Sequence, residues 1–326
     1  PRAEALLEAA LEAEAAALAV PGLSKVQGAG AGWGREHIHL AATNGFSAGY
    51  ARSSWSVSAM AITGEGLAME RDWAAEARLH RADLPDPASI GRLAGERAAA
   101  RAGARKPPTG SFPVLYDERV AAGLIGHLLA AVNGAAIARG SSWLRDALGQ
   151  PVLPAGLSLI EEPRRVRGPA SRPFDAEGLA TSERAIIDRG VLTGWTLDLA
   201  TAAKLGMRST ANAVRGTGAP PSPGVSNIRL TQGEAGREDL IRDMGRGLVV
   251  TSLIGATINP NTGDYSRGAS GFWVEGGEIA YPVNECTIAG NLREILARIV
   301  PANDARPHRA HQVPSLLVDG LTIAGA

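Results

Sequence analysis

The sequence predicts an α+β protein in which a mixed N-terminal segment precedes a large β-rich domain with inserted helices. Three observations carry this. Residues 4–19 are rich in Ala, Glu and Leu near helical spacing, and residues 25–62 alternate in the strand period on both sides of Asn44-Gly45. Beyond Gly149 the chain reads as short strands joined by Gly, Pro, Asn and Asp turns. Mixed elements followed by a β-rich portion argue against a doubly wound sheet. A chain of 326 residues exceeds one typical core, and residues 104–110, Ala-Arg-Lys-Pro-Pro-Thr-Gly, are the best candidate linker. Two domains are therefore expected, at residues 1–104 and 105–326.

Taken in order, Leu7, Leu11 and Leu18 with glutamates elsewhere give an amphipathic helix that Pro21-Gly22 stops. His37-Ile38-His39-Leu40 and residues 50–62 alternate, and Asn44-Gly45 marks a hairpin between them. The run Gly28-Ala29-Gly30-Ala31-Gly32-Trp33-Gly34 has neither G-x-G-x-x-G spacing nor a helix after it. It reads as a flexible loop between strands, not a dinucleotide site. A helix is expected at 69–79, a turn at 83–87 and an Arg-rich helix at 88–102. A buried strand at 112–116 then passes through a capping Asp117 into a long helix reaching about Ala138. Arg139-Gly140-Ser141-Ser142 ends that helix and opens a short one through Leu148. Further helices are expected near 197–205, 237–244 and 292–299.

Composition narrows the function classes. Hydrophobic residues make up 45% but aromatics only 4%, so the core must be built largely from Ala, Leu, Ile and Val. Lys+Arg and Asp+Glu are equal at 33 each, which gives no general attraction to nucleic acid or to an anionic membrane, and disfavours direct nucleic-acid binding. The most apolar run, 121–138, is broken by His127, Asn133 and several glycines, so it reads as a buried helix and not a membrane span. The single Cys286 excludes an internal disulfide and a multi-Cys zinc knuckle. A reducing compartment, the cytoplasm, is expected. The first residue is Pro1 and no signal-peptide pattern follows, so a chain that starts partway through a longer protein, or one from which an N-terminal piece was removed, is expected.

Candidate chemistry is sparse. His37 and His39 share one strand face, but two imidazoles with no acidic or Cys partner nearby do not make a metal site. His308 and His311 lie between Pro307 and Pro314 and read as loop residues. Cys286, within Asn284-Glu285-Cys286-Thr287-Ile288, reads as a buried, inert thiol on a strand. Thr201-Ala202-Ala203-Lys204 lacks the Ser and the companion motifs of a Ser-x-x-Lys dyad, which leaves a solvated helical Lys. No nucleophile elbow, Walker loop or H-E-x-x-H is present. Three polar turns remain, at 174–178, 209–216 and 259–266. Their Asn, Asp and Thr side chains suit bonds to their own backbone, and the last lacks the spaced carboxylates of a calcium loop. Clustered in one domain, they equally suit a cleft that presents backbone and Arg215 to an extended peptide, and both readings stay open. No catalytic or metal-binding residue is assigned. Arg215, Asn227, Asp264 and Ser266 are the candidates for peptide or partner contact.

These turns fall among segments that resemble the TldD/PmbA family, two-subunit peptidase components also known as modulators of DNA gyrase. The resemblance is strongest to the PmbA (TldE) branch. It rests on Pro173-Phe174-Asp175-Ala176-Glu177-Gly178, on Asp188-Arg189-Gly190-Val191-Leu192, on Ala203-Lys204-Leu205-Gly206 with Ser209-Thr210, and on Ser226-Asn227. Gly247-Leu248-Val249-Val250, residues 259–273 with Thr262-Gly263-Asp264-Tyr265-Ser266, residues 283–292 and residues 314–325 continue it. Together these cover most of 105–326 in order, while the first hundred residues match more weakly. The family usually carries a further N-terminal segment. One departure is Ala211, where this branch commonly has Gly.

The resemblance implies zinc peptidase chemistry in the TldD-type subunit only. That subunit carries H-E-x-x-x-H on the helix corresponding to residues 116–138 and a Cys near the C-terminus, its zinc activating a water and its Glu acting as base. Here that helix holds one histidine, His127. A register started at His127 reaches Leu128 and Val132, and one anchored on Arg139-Gly140-Ser141 puts Ile125, Gly126 and Ala130 in the three roles. The region near Val300 has no cysteine. His127 then reads as a packed core histidine. The resemblance thus implies a subunit without its own cofactor and inactive alone, pairing with a zinc-bearing TldD-type peptidase. It would bind unfolded or extended peptides by strand addition, among them peptide-antibiotic precursors and labile antitoxins. A homodimer in isolation is compatible with this. Two alternatives stand beside it: a stand-alone peptidase using Cys286 or a metal site built from the scattered histidines, and a DNA gyrase-associated regulator, against which the balanced charge speaks.

Overall fold

The computed structural model describes residues 1–325, apart from the side chains at positions 256 and 257. It divides into two compact units, Pro1–His39 with Ala48–Arg105, and Leu40–Ser47 with Lys106–Ala326.

The first unit contains helix α1 (Ala3–Leu18), strands β1 (Leu23–Ala41), β2 (Ser47–Thr63) and β3 (Glu70–Arg78), and helix α2 (Pro87–Ala99). The strands form one sheet in chain order. Its core is built from alanines and a few branched residues: Ala13 of α1, Ile90 and Ala94 of α2, and Val57, Ala59 and Ala74 of the sheet. Such small side chains let backbones approach closely, and a Cβ at Gly91 would overlap the Ala13 carbonyl group. Asp86 caps α2 by accepting from the Ser89 amide at 3.2 Å, with Pro87 at the first helical position. The Asn44-Gly45 hairpin forms as its sequence implies, with Gly45 at φ +89° and the Asn44 side chain accepting from the Phe46 amide.

Two expectations fail in this unit. Residues 69–79 do not form a helix; they contain β3, because pairing with β2 overrides the helical preference of Ala-Ala-Glu-Ala. The alternation is visible in burial, with Asp72, Ala74 and Glu76 inward. The two buried acids are matched by cations, Asp72 by Arg101 at 3.7 Å and Glu76 by Arg78 at 2.6 Å. The glycine run is no loop either but lies inside β1. Ala29 and Ala31 pack toward the core, while a Cβ on Gly30, Gly32 or Gly34 would lie 3.8, 2.9 or 3.2 Å from the hydroxyl oxygens of Ser58, Ser56 and Ser54. The serines opposite are exposed, so the glycines lie on an open face of the strand.

The second unit opens with β4 (Gly110–Tyr116), α3 (Glu118–Ala131), α4 (Gly134–Ala138), β5 (Leu159–Glu161), β6 (Arg184–Asp188), β7 (Val191–Leu192) and α5 (Leu199–Lys204). It continues through β8 (Ala213–Val214), β9 (Ser222–Pro223), β10 (Ile228–Leu230), α6 (Arg237–Met244), β11 (Gly247–Ile258) and β12 (Asp264–Glu275). It ends with β13 (Glu278–Asn291), α7 (Leu292–Ala297), β14 (Val300–Pro301), β15 (His311–Gln312) and β16 (Leu316–Ala324). One sheet runs β13-β12-β11-β4-β16-β14; because β13 also pairs with β16, its first five strands close into a barrel. A second sheet runs β15-β10-β5-β6-β7, and β8 and β9 pair separately. Alternation along β4 and β11 gives the barrel two apolar faces. Val114, Tyr116, Leu248 and Val250 share a core with α3 and α7, whereas Leu115 and Val249 meet α6. The α+β class expected from the sequence is the class observed.

Asp117 caps α3 by accepting from the Arg119 amide at 3.2 Å. The helix does not reach Ala138 unbroken. It stops at Ala131, and Asn133 caps a separate α4 by accepting from the Ala135 amide at 3.0 Å while its own amide donates to the Pro223 carbonyl at 2.8 Å. The short helix expected through Leu148 is a series of turns instead. There the Ser142 hydroxyl donates to the Ala131 carbonyl and accepts from the Leu144 amide, which offers the backbone a partner other than a helical one. Helices α5, α6 and α7 fall where the sequence places them. No helix among the described residues is long and apolar enough to cross a membrane.

Candidate functional site

Helix α3 is where the family resemblance puts catalytic groups, and its side chains decide what chemistry this chain can offer. Ile125, Leu124 and Leu128 are buried in the core, and Ala130 is exposed. Neither a carboxylate nor a second imidazole projects from the helix alongside His127. Among the described residues, no three His, Cys, Asp or Glu side chains come together in a way that would hold a metal ion.

What does converge there is a small polar cluster drawn from three elements. His127 of α3 is half-buried, with its ring 5.9 Å from that of Tyr265 in a T-shaped arrangement. Tyr265 lies on β12, and Arg267, two residues on, shares its face of the strand. Tyr116, the last residue of β4, is fully buried beside Tyr265. The Arg267 charge reaches all three neighbours. Burial first and Arg267 second lower the His127 pKa, so its ring is neutral near pH 7. Burial raises the Tyr265 pKa and raises that of Tyr116 well above its ordinary value, while Arg267 acts in the opposite direction on both. Nε of Arg267 is buried without a hydrogen-bond partner, while the Tyr116 hydroxyl faces that of Tyr265. Among the described residues Arg267 forms no ion pair. These groups do not fit a zinc ion: one imidazole is too few, and a neighbouring guanidinium repels a dication.

Cys286 sits on β13 opposite Ala269, whose carbonyl accepts from its thiol at 3.2 Å. Burial pushes the thiol pKa up to about 11, and the buried position on a strand expected from the sequence is the one observed.

The contact candidates fall into different settings. Asp264 and Ser266 both lie on β12. Asp264 is exposed; its carboxylate accepts from the Thr262 hydroxyl at 2.6 Å and the Asn291 amide at 3.1 Å, and these bonds, Thr262 first, lower its pKa. Ser266 is half-buried and pairs with Ala289 of β13. Arg215 is exposed just after β8. Asn227 is fully buried before β10, accepting from the Ala170 amide and donating to the Glu162 carbonyl and Ser171 hydroxyl. It ties two loops together and has no surface to offer a peptide. The first two polar turns are joined as well. Asp175 accepts from the amides of Glu177 and Leu179 in its own turn and from that of Ala213 in the next. Ala211, where a Gly is usual, holds φ +55° in the left-handed region.

His37 and His39 are exposed on β1, His308 lies in a turn, and His311 forms part of β15. Lys204 is exposed at the end of α5. Sequence reasoning passed over Tyr116, Tyr265 and Arg267. The available signal was Arg267 itself, a cation on the strand face that Tyr265 and Ala269 bury.

Comparison with known proteins places both units. Residues 1–102 match the central domain, and residues 109–325 the C-terminal domain, of the PmbA/TldA metallopeptidases. The chain is similar to the metalloprotease PmbA of Escherichia coli, at 41% identity over 284 residues, and to the PmbA homolog of Haemophilus influenzae, at 38% over 285. Each alignment covers 87% of this chain and 61% of the relative, so the chain spans about three fifths of the curated relatives it matches. A Bacteroides thetaiotaomicron protein described as a modulator of DNA gyrase has a similar structure, with TM-score 0.90 and 28% identity over 100% of this chain and 72% of that one. TldE from Thermococcus kodakarensis shares the fold, with TM-score 0.88 and 20% identity over 100% of this chain and 75% of that one.

Proposed function

We propose a role for this chain from one premise: it belongs to the PmbA/TldD metallopeptidase family. Within that family it is the non-catalytic, PmbA/TldE-like subunit. It pairs with a zinc-bearing TldD-type peptidase in the cytoplasm and holds unfolded or extended peptides for cleavage at the partner's metal. The observation that supports this most directly is the α3 site, where a lone neutral imidazole stands beside a guanidinium and the neighbouring helix positions carry Ile125 and Leu128. A hydrolase of this kind needs two imidazoles and a carboxylate there. Strand β15, at one end of the second sheet, suits strand addition, in which main-chain bonds give sequence-tolerant affinity.

The test is reconstitution. The isolated chain is expected to hold no stoichiometric zinc and to leave an unfolded polypeptide intact, and to co-purify with a TldD-type protein. Peptidase activity is expected in the mixture alone. Stoichiometric zinc together with unaided peptide digestion by this chain overturns the proposal, and so does a failure to associate with any TldD-type protein.

A further inference from the structure

The cluster around Arg267 carries more than the loss of a metal site. Buried polar atoms in folded proteins are nearly always hydrogen-bonded, and each exception calls for an explanation. Here one such exception, Arg267 Nε, lies in this cluster, with His127 and the facing hydroxyls of Tyr116 and Tyr265 beside it. The chemistry of the four groups has one sign. A guanidinium is a fork of five donors with no acceptor, and a phenol is a donor well below its pKa. The neutral imidazole adds a further ring N–H. No carboxylate pairs with Arg267 among the described residues, unlike the guanidiniums of Arg184 and Arg101, which meet Glu161 and Glu70. Arg267 and His127 each keep part of their surface exposed, the side from which a ligand group can approach.

We propose that Arg267, with Tyr116, Tyr265 and His127, forms a carboxylate-binding subsite that takes an anionic group of a bound peptide. An Arg–carboxylate pair is the geometry in which two parallel N–H···O bonds form at once, and a tyrosine hydroxyl can donate to a remaining lone pair. A carboxylate so placed satisfies the orphaned Nε and compensates the Arg267 charge. The same site rejects cations and gains nothing from an uncharged amide. The inference rests on the reading of this chain as a peptide-holding subunit, and it names what that subunit holds. Two sources supply the group, the peptide's C-terminal carboxylate or an Asp or Glu side chain.

The experiment measures binding of three pentapeptides to the full chain near pH 7 by calorimetry. They are N-acetyl-pentaalanine as the free acid, the same peptide as its C-terminal amide, and that amide with a central Asp. The free acid is expected to bind about 10- to 100-fold more tightly than the neutral amide, the range of a charge-assisted pair. If the Asp-containing amide matches the free acid, the site takes acidic side chains; if it binds like the neutral amide, the site takes C-termini. Arg267→Met removes the preference, the free acid then binding no more tightly than the neutral amide. Should that variant fold poorly, Arg267→Lys serves, retaining a point charge without the fork and so a weaker preference. A separate readout is the His127 ring followed by NMR, whose pKa rises when an anion is bound beside it, a change that a purely structural Arg267 does not produce. Equal affinity for all three peptides, or a preference that survives in Arg267→Met, overturns the subsite while leaving the peptide-holding role in place. A chain that binds none of the three loses both.

Discussion

At His127 the protonated ring meets two penalties, burial and the adjacent Arg267 charge, and at His311 it meets burial and Arg165. Both pKa values are therefore lowered in the folded chain. Just below the ordinary histidine value of about 6.5, the unfolded chain binds protons that the folded chain refuses. Stability therefore falls as pH drops from about 6.5 toward the folded values. Asp117 adds a second loss at lower pH. Burial alone would raise its pKa, but Arg119 and Arg237 outweigh burial and lower it, so its contribution is present above the usual carboxylate range and fades below it. Urea midpoints are expected to fall between pH 7.5 and 5.5, and the His127→Gln, His311→Gln double variant to flatten that slope. An unaltered slope in the double variant would mean that neither ring is the titrating group.

Gly91 shows how much a single element junction depends on the missing side chain. A methyl group there collides with the backbone of α1 and not with a flexible side chain that could move aside, so Gly91→Ala is expected to destabilise the first unit by about 1–3 kcal/mol. Gly123, on the open side of α3, has nothing within 4 Å and serves as the control, with Gly123→Ala neutral or mildly stabilising in thermal melts. Equal melting temperatures for both variants would remove the close-crossing account. What the sequence disclosed at this scale follows from locality. Although Leu7, Leu11 and Leu18, which mark α1, are exposed and Ala13 and Ala17 are buried instead, the helices α1, α2 and α6 and the Asn44-Gly45 hairpin announce themselves within a dozen residues. Segments decided by distant partners do not: β3 is rich in helix formers yet is held by β2, and the glycines of β1 form a strand through pairing with β2. Likewise α3 breaks at Asn133 because that side chain finds Pro223, ninety positions away. The polar cluster was hidden for the same reason. Tyr116 meets Tyr265 and Arg267 only through the parallel pairing of β4 with β11 and the hairpin to β12. That α3 holds a single histidine, in contrast, was legible from residue identity alone.

Across the whole molecule the charges balance, 33 against 33. A protein without a net positive field releases few counterions from DNA, so the chain is expected to bind a random duplex more weakly than about 100 μM near physiological salt. Filter binding or fluorescence anisotropy at two salt concentrations checks this. Micromolar binding with a steep salt dependence would favour a role at DNA over one with peptides. A last consequence comes from the lone thiol on β13. Because the native barrel holds Cys286 protonated and out of reach, a brief pulse of a thiol-reactive dye marks only those molecules whose barrel has opened. The chain thus carries a built-in clock for its own unfolding, readable by mass spectrometry without introducing a foreign label.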